Sequence, residues 1–243
     1  DLFTKNAEKF GTRFEYDVVS AVDLSRRPFK LTTYGKEYFT QSLIITTGAS
    51  PNKLNIAGEK ELTGRGVSYC ATCDGWFFKD KKVAVVGGGD SALEEGIFLT
   101  RYASSVTIIH RRNELRAGVL LQKRAKENTK ISFILDTVVE AIEGKDAVSG
   151  LELKNIKNGE SSTLAVDGVF IFVGHSPNTD LFRGVLDLDE KGYIRIDERM
   201  RTNIAGVFAA GEVADSRYRQ VVTSAGMGAA AAIEATRFLE SGE

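Results

Sequence analysis

The chain has 243 residues, with 32 basic and 33 acidic side chains, and 42% of its residues are apolar. At roughly 150 residues per domain that is one or two domains with a substantial core, and a balanced charge offers no footprint for a phosphate backbone, so nucleic-acid binding is not expected. The charge-free stretch 221–233 is too short and too rich in Gly and Ala to cross a bilayer, nothing at the N-terminus has the order of a secretory signal, and the expectation is a cytoplasmic protein without membrane association.

In chain order, residues 13–23, 29–34 and 37–46 are rich in Val, Ile, Phe, Tyr and Thr and predict three strands, with Gly35 turning a hairpin between the last two. The third run leaves its sheet through Thr46-Thr47-Gly48-Ala49-Ser50-Pro51, and the polar stretch to Gly66 marks a domain boundary. Val83-Ala84-Val85-Val86 is a short continuous apolar run, as expected of a strand buried on both faces, and it runs straight into Gly87-Gly88-Gly89. A helix is predicted over 91–102, with Ala92, Leu93, Phe98 and Leu99 available for its inner face, and a strand over 106–109. Together these make a βαβ unit with a right-handed crossover. A helix over 119–127 and strands over 131–135, 138–142, 148–153 and 169–173 complete an α/β domain with an added β-meander. After Pro177 the chain offers one more strand, 207–210, closed by Gly211-Glu212, and a long helix over 223–239 made largely of Gly and Ala.

Two motifs carry chemistry. Gly87-x-Gly89-x-x-Ala92 follows a strand and opens a helix, which is what a dinucleotide pyrophosphate requires: a tight turn, a backbone without Cβ in the way, and helix N-terminal amides to receive charge. An NAD site places Asp or Glu about 20 residues further on to bond the ribose 2′-hydroxyl. Here His110-Arg111-Arg112 stands at the end of the second strand, with Arg116 one turn later. Guanidinium groups match a 2′-phosphate in charge and geometry, so NADPH is expected; a solvated basic turn is the plainer alternative.

The second motif is Cys70-Ala71-Thr72-Cys73-Asp74-Gly75. Two sulfurs at this spacing can close a small disulfide ring and exchange with another disulfide. A zinc site would need two more ligands, and the two histidines, His110 and His175, sit apart in other motifs, so no metal is expected. A structural disulfide or two inert thiols remain as alternatives. Asp74 is a candidate acid or base beside the pair, or a helix cap. Nicotinamide does not reduce disulfides directly at useful rates, and flavin is the usual mediator. Thr47-Gly48-Ala49 and Gly211-Glu212-Val213-Ala214-Asp215 are suitable contact points for one.

The cysteine motif, with Gly87-Gly88-Gly89-Asp90-Ser91-Ala92, His110-Arg111-Arg112, Gly174-His175-Ser176-Pro177-Asn178-Thr179 and Tyr218-Arg219-Gln220, resembles the bacterial-type NADPH-dependent thioredoxin reductases, in that family's order and across nearly the whole chain. The resemblance implies two Rossmann-like domains of the pyridine nucleotide-disulfide oxidoreductase type. An NADPH domain, 52–177, is inserted into an FAD domain made of 1–51 and 178–243, and the protein works as a homodimer. It implies electron flow from NADPH to FAD to the dithiol. Cys73 lies against the flavin, Cys70 attacks the disulfide of thioredoxin or a similar small protein, and Asp74 donates a proton. Gly87, Gly89, Asp90, Ser91 and Ala92 belong to the nucleotide turn, while His110, Arg111, Arg112 and Arg116 hold the 2′-phosphate. Thr47, Gly48, Gly211, Glu212, Arg219 and Gln220 face the flavin, and His175 lies near a hinge with a structural role. A related flavoprotein serving a peroxide-reducing system or a glutaredoxin-like partner, and an NADPH-sensing dithiol module, are the competing functions.

Two departures from the family pattern stand out. Similar enzymes carry Gly-Asp where this chain has Gly211-Glu212, and the extra methylene shifts the carboxylate. They also begin with a strand and a G-x-G-x-x-G loop for the ADP half of FAD. No such motif precedes Thr47 here, the first residue is Asp1 rather than Met, and residues 2–10 look like the tail of a helix. The expectation is a chain lacking that N-terminal segment and binding FAD weakly by itself.

Overall fold

The structure, a computed structural model, describes residues 2–242; Asp1 lies outside them. The chain divides into two compact units, one made of the residues up to Ser50 with those from Ser176 onward, the other Pro51–His175. The inner unit starts one residue before, and ends two residues before, the predicted insertion.

In the outer unit, helix α1 (Leu2–Lys9) buries none of its side chains. Strands β1 (Val19–Asp23), β2 (Phe29–Thr33) and β3 (Glu37–Thr40) form an antiparallel meander. Only the second half of the predicted run 13–23 is a strand, and the residues before it are exposed. The predicted single run 37–46 is two strands in two sheets. Thr40 Oγ1 donates to the Ser42 carbonyl at 2.6 Å and bends the chain. Ser42 Oγ and Leu43 N–H then both donate to the Gly206 carbonyl, so β4 (Leu43–Ile45) pairs in parallel with Val207–Ala209 instead of continuing the meander. Alternation alone cannot show this, because the switch depends on a partner more than 160 positions away.

Strand β5 (Ala49–Pro51) leads into the inner unit. Its main sheet is parallel, built from β6 (Val67–Ser68), β7 (Lys82–Val86), β8 (Ser105–Ile109), β9 (Ile131–Ile134) and a last strand at Gly168–Ile171, in the order β6, Gly168–Ile171, β7, β8, β9. Helices α2 (Ala71–Asp74), α3 (Asp90–Leu99) and α4 (Val119–Glu127) belong to this unit. An antiparallel meander of β10 (Thr137–Gly144), β11 (Val148–Asn155) and β12 (Ser161–Ala165) accompanies them. β12 was not predicted: its Ser-Ser-Thr start is exposed, so it has no apolar alternation to read. Strand β7 shows why the parallel sheet reads as a continuous apolar run. Val83 and Val85 enter the helix-side cluster with Ala92, Leu93 and Leu99, whereas Ala84 and Val86 enter the meander-side cluster with Ile142, Leu151 and Leu153. Each fully buried aliphatic side chain of this kind contributes about 1.5–3 kcal/mol of transfer free energy. Phe98, expected on the inner face of α3, is only partly buried and meets Tyr102 edge to face at 5.6 Å.

The last parallel strand is β13 (Gly168–Ile171), and β14 (His175–Pro177), where the chain returns, pairs with β5. In the outer unit β15 (Val207–Ala209) is fully enclosed, and α5 (Val221–Ser241) starts two residues earlier than predicted and stops at Gly242, whose φ of +71° suits Gly. Ala231 and Ala235 of α5 pack on Phe208 and Ala210. The small side chains let the helix approach β15 closely. Among the described residues no helix is long and apolar enough to cross a membrane.

Candidate functional site

The turn between β7 and α3 is built by three glycines with three different duties. Gly87 has φ +151°, and a Cβ there would lie 2.5 Å from the Phe172 carbonyl oxygen and 2.8 Å from Ala92 Cβ, so the backbone after the last parallel strand and the first turn of α3 both exclude a side chain at 87. A Cβ on Gly88 would enter the His110 ring, whereas one on Gly89 would meet nothing within 4 Å. The backbone beside α3 is therefore open to an approaching group. Gly88→Ala is expected to lower stability by about 1–3 kcal/mol through overpacking, read as a drop in thermal midpoint. The Gly88 carbonyl accepts the N–H groups of Arg116 and Ala117 at 2.7 and 3.1 Å, which ties the arginine loop to the turn. Asp90, expected at the cofactor, has Oδ1 accepting the Gly118 N–H at 2.8 Å, which anchors the start of α4. Ser91 is exposed on the first turn of α3.

A cleft of about 440 Å³ opens at the carboxyl ends of β7 and β8, with Gly87, Gly88, His110, Arg111, Arg116 and Lys53 on its wall. This is where open parallel sheets receive nucleotides. Arg112 is exposed on the same loop and is not part of the wall. Lys53 is a cation that sequence motifs do not reveal. His110 is 5% exposed, and its buried Nε2 has no hydrogen-bond partner. Burial, then the charges of Arg116 and Arg112, hold its imidazole below the ordinary value against a hydrogen bond to the Glu114 backbone. The cationic rim of the cleft is made by Arg111, Arg116 and Lys53.

The dithiol lies on the same unit. Cys70 and Cys73 form a disulfide with Cα atoms 5.3 Å apart. Cys70 immediately precedes α2, and its Sγ accepts the Cys73 N–H at 3.2 Å and lies 3.3 Å from Thr72 Oγ1. Cys73 is exposed and Cys70 half-buried. Ser68, absent from any motif, organises this turn. Its hydroxyl donates to Asp74 Oδ2 at 2.7 Å and accepts the Cys70 N–H at 3.1 Å, so the carboxylate and the first cysteine are fixed by one buried oxygen. Just beyond, Trp76 and Phe77 are 63% and 70% exposed, an unusual cost for two large aromatic side chains side by side unless a partner covers them.

In the outer unit β4 and β15 run in parallel with Ile45 opposite Ala209, so Thr47-Gly48 and Gly211-Glu212 leave from the same end of the pair. Thr47 Oγ1 donates to the Asn178 carbonyl at 2.7 Å, and Asn178 Nδ2 returns a bond to the Thr47 carbonyl at 2.8 Å. Gly211 has φ +78°, with Ser224 3.3 Å from where its Cβ would be. Asp215 builds the next loop: its carboxylate accepts the N–H groups of Arg217, Tyr218 and Arg219. Burial works to raise its pKa, but those amides and the Thr223 hydroxyl outweigh it and hold the carboxyl below its ordinary value. The loop presents Arg219, at φ +50°, and Gln220, both half-buried. Glu212 is half-buried as well.

Residues 5–228 match the family model described as pyridine nucleotide-disulphide oxidoreductase. A thioredoxin reductase of Streptomyces coelicolor is 50% identical over 241 residues, covering 98% of this chain and 75% of that one. The chain belongs to the thioredoxin reductase family. A family member from Rickettsia conorii is 50% identical over 238 residues, 96% of this chain and 77% of its own. Among solved structures, the thioredoxin reductase of Streptococcus pyogenes superposes with a TM-score of 0.92 at 43% identity, covering 98% of this chain and 78% of that one. That of Giardia duodenalis gives 0.92 at 38% identity, covering 98% and 79%. The family is one of oxidoreductases with an α/β, nucleotide-binding architecture, and the parallel inner sheet and glycine turn are its features in this chain.

Proposed function

We propose that the protein transfers reducing equivalents from NADPH, through a bound FAD, to the Cys70–Cys73 disulfide and on to the disulfide of thioredoxin. The observation that carries this is the presence, on one unit, of a redox-competent disulfide and of a strand–glycine–helix cleft rimmed by Arg111 and Arg116. The inner unit is the NADPH domain and the outer unit the FAD domain. The open backbone at Gly89 and the cationic rim fit a dinucleotide carrying an extra phosphate. Thr47, Gly48, Gly211, Glu212, Arg219 and Gln220 would hold the flavin, at the carboxyl end of the β4–β15 pair where such folds bind ligands.

Bound flavin would accept hydride from NADPH and pass two electrons on. The protein's own part is sulfur chemistry. Two electrons and two protons open the Cys70–Cys73 bond to two thiols. Cys70, whose sulfur receives the Cys73 N–H, is the thiolate that attacks the partner disulfide, since a donated hydrogen bond favours the charged form. Cys73 then attacks Cys70 in the mixed disulfide, which restores the internal bond and releases the partner as a dithiol. Asp74, fixed by Ser68, supplies the proton to the departing sulfur. The protein works as a homodimer in the cytoplasm.

Trp76 and Phe77 form the apolar landing for the protein partner. Replacing both with Ala is expected to raise KM for thioredoxin about thirtyfold, the size of a lost interface hot spot, with NADPH-driven formation of the Cys70 and Cys73 thiols unaltered. Steady-state kinetics and thiol titration check the two halves. The function itself is tested by adding NADPH anaerobically to the FAD-supplied protein with a panel of disulfide proteins. Thioredoxin-dependent NADPH oxidation is expected. Turnover only with a peroxide-reducing or glutaredoxin-like partner would reassign the substrate, and nucleotide binding without thiol formation would make the protein a sensor.

A further inference from the structure

Glu59 lies in the polar stretch between β5 and β6, where a carboxylate would ordinarily be solvated, yet it is 3% exposed. Its Oε1 accepts the Leu54 N–H at 3.1 Å and the Tyr69 hydroxyl at 2.8 Å, and its Oε2 accepts the Asn55 N–H at 2.6 Å. All three partners are neutral donors. Two of them belong to the backbone of residues 53–56, and Lys53, Leu54 and Ile56 line the nucleotide cleft. The third is the side chain of the residue immediately before Cys70. Asn55 is held at φ +57°, a conformation that a non-glycine residue keeps only when its surroundings determine it. Just beyond, the chain is fastened to β10, where the Ala57 carbonyl accepts the Ile142 N–H at 2.9 Å. The wall of the cleft is therefore suspended between that attachment and the Glu59 carboxylate.

We propose that Glu59 is a positioning residue for the nucleotide, its carboxylate holding the wall formed by residues 53–56 in place against Tyr69. This rests on the assignment of the cleft to NADPH. The chemistry of the three donors makes the claim sharp. A carboxylate accepts at both oxygens, whereas an isosteric Gln offers one oxygen and one NH₂, so at least one of Leu54 N–H, Asn55 N–H and Tyr69 O–H must then face another donor. The charge-assisted character of the remaining bonds is lost as well. The wall carrying Lys53 loosens, and a cation placed by it no longer meets the nucleotide in a fixed position. Burial, then the hydrogen bond and charge of Glu59, raise the Tyr69 hydroxyl to about 12. That gives a spectroscopic report on whether the network is intact.

The test is calorimetric titration of the purified protein and its variants with NADP⁺, beside ultraviolet titration of tyrosine. Glu59→Gln is expected to raise the NADP⁺ dissociation constant about tenfold and to lower the titration point of Tyr69. Tyr69→Phe keeps both wall bonds, and its affinity is expected to stay within about twofold of the parent. Should Glu59→Gln not fold, Glu59→Asp keeps the charge, shortens the reach by one methylene and carries the same test with about threefold weakening. Unchanged affinity in the Glu59 variant overturns the inference and leaves the function standing. So does Tyr69→Phe weakening binding as much as Glu59→Gln, because the effect would then belong to general order in the segment. If the parent protein binds no NADP⁺ while its disulfide is still opened by dithiothreitol, the NADPH assignment itself falls, and the role of Glu59 with it.

Discussion

Cys73→Ser abolishes NADPH-dependent thioredoxin reduction, by about 10⁴-fold or more, as expected when one member of a catalytic unit is removed, and it leaves a covalent trace. With Cys73 gone, the Cys70 thiolate can still attack the partner disulfide, forming one S–S bond and releasing one partner thiol, but no second thiol is present to resolve the adduct. Intact mass should then show a stable one-to-one mixed disulfide. Cys70→Ser is equally inactive and traps nothing. The expected asymmetry rests on the hydrogen bonding of the Cys70 sulfur, which at the start of α2 receives the Cys73 amide and lies beside Thr72 Oγ1. NADP⁺ affinity should be unchanged in both variants, since neither cysteine lines the cleft. Trapping by Cys70→Ser and not by Cys73→Ser would exchange the two roles, and residual turnover in both would remove the dithiol from the pathway.

The second large effect concerns the choice between nucleotides. Replacing Arg111 and Arg116 together with Ala is expected to weaken NADPH about a hundredfold, the sum of two charge-assisted contacts of about 1.5 kcal/mol each, while NADH changes little. Arg112→Ala should have the smaller effect, because Arg112 is absent from the cleft wall. The preference for NADPH should also weaken as salt is raised, since exposed guanidinium groups are screened. Initial rates with both nucleotides at two ionic strengths measure this. Equal losses for NADPH and NADH would mean that these arginines do not meet a 2′-phosphate.

The division between what was readable in the chain and what was not follows the range of the interactions involved. Apolar run, glycine turn and helix could be read at 83–99 because each is a local matter: period, backbone freedom at Gly87, and side-chain size at Ala92. The meander strand β12 was missed because its exposed Ser and Thr residues carry no periodic signal. The redirection of β4 was missed because the Gly206 carbonyl that captures Ser42 is remote in sequence. At the site, the cysteine pair and the arginine cluster announce themselves by type and spacing. Ser68 does not, since a lone Ser before a C-x-x-C is indistinguishable from any loop Ser until its hydroxyl is seen between Asp74 and the Cys70 amide.

The amino-acid sequence by itself determined which chemical groups stand together: a dithiol pair, a glycine turn between a strand and a helix, and a cluster of arginines beyond the next strand. These depend on which functional groups are present within a few residues of each other. Only the tertiary structure decided how each of these groups is surrounded. It gave Asp90 the Gly118 N–H at the start of α4, buried the His110 ring beneath Gly88, left Arg112 outside the cleft wall, and made Asp215 the scaffold of the loop carrying Arg219. Burial and hydrogen-bond partnership come from packing between distant segments, and a side chain acquires its protonation, orientation and reach only once that packing exists.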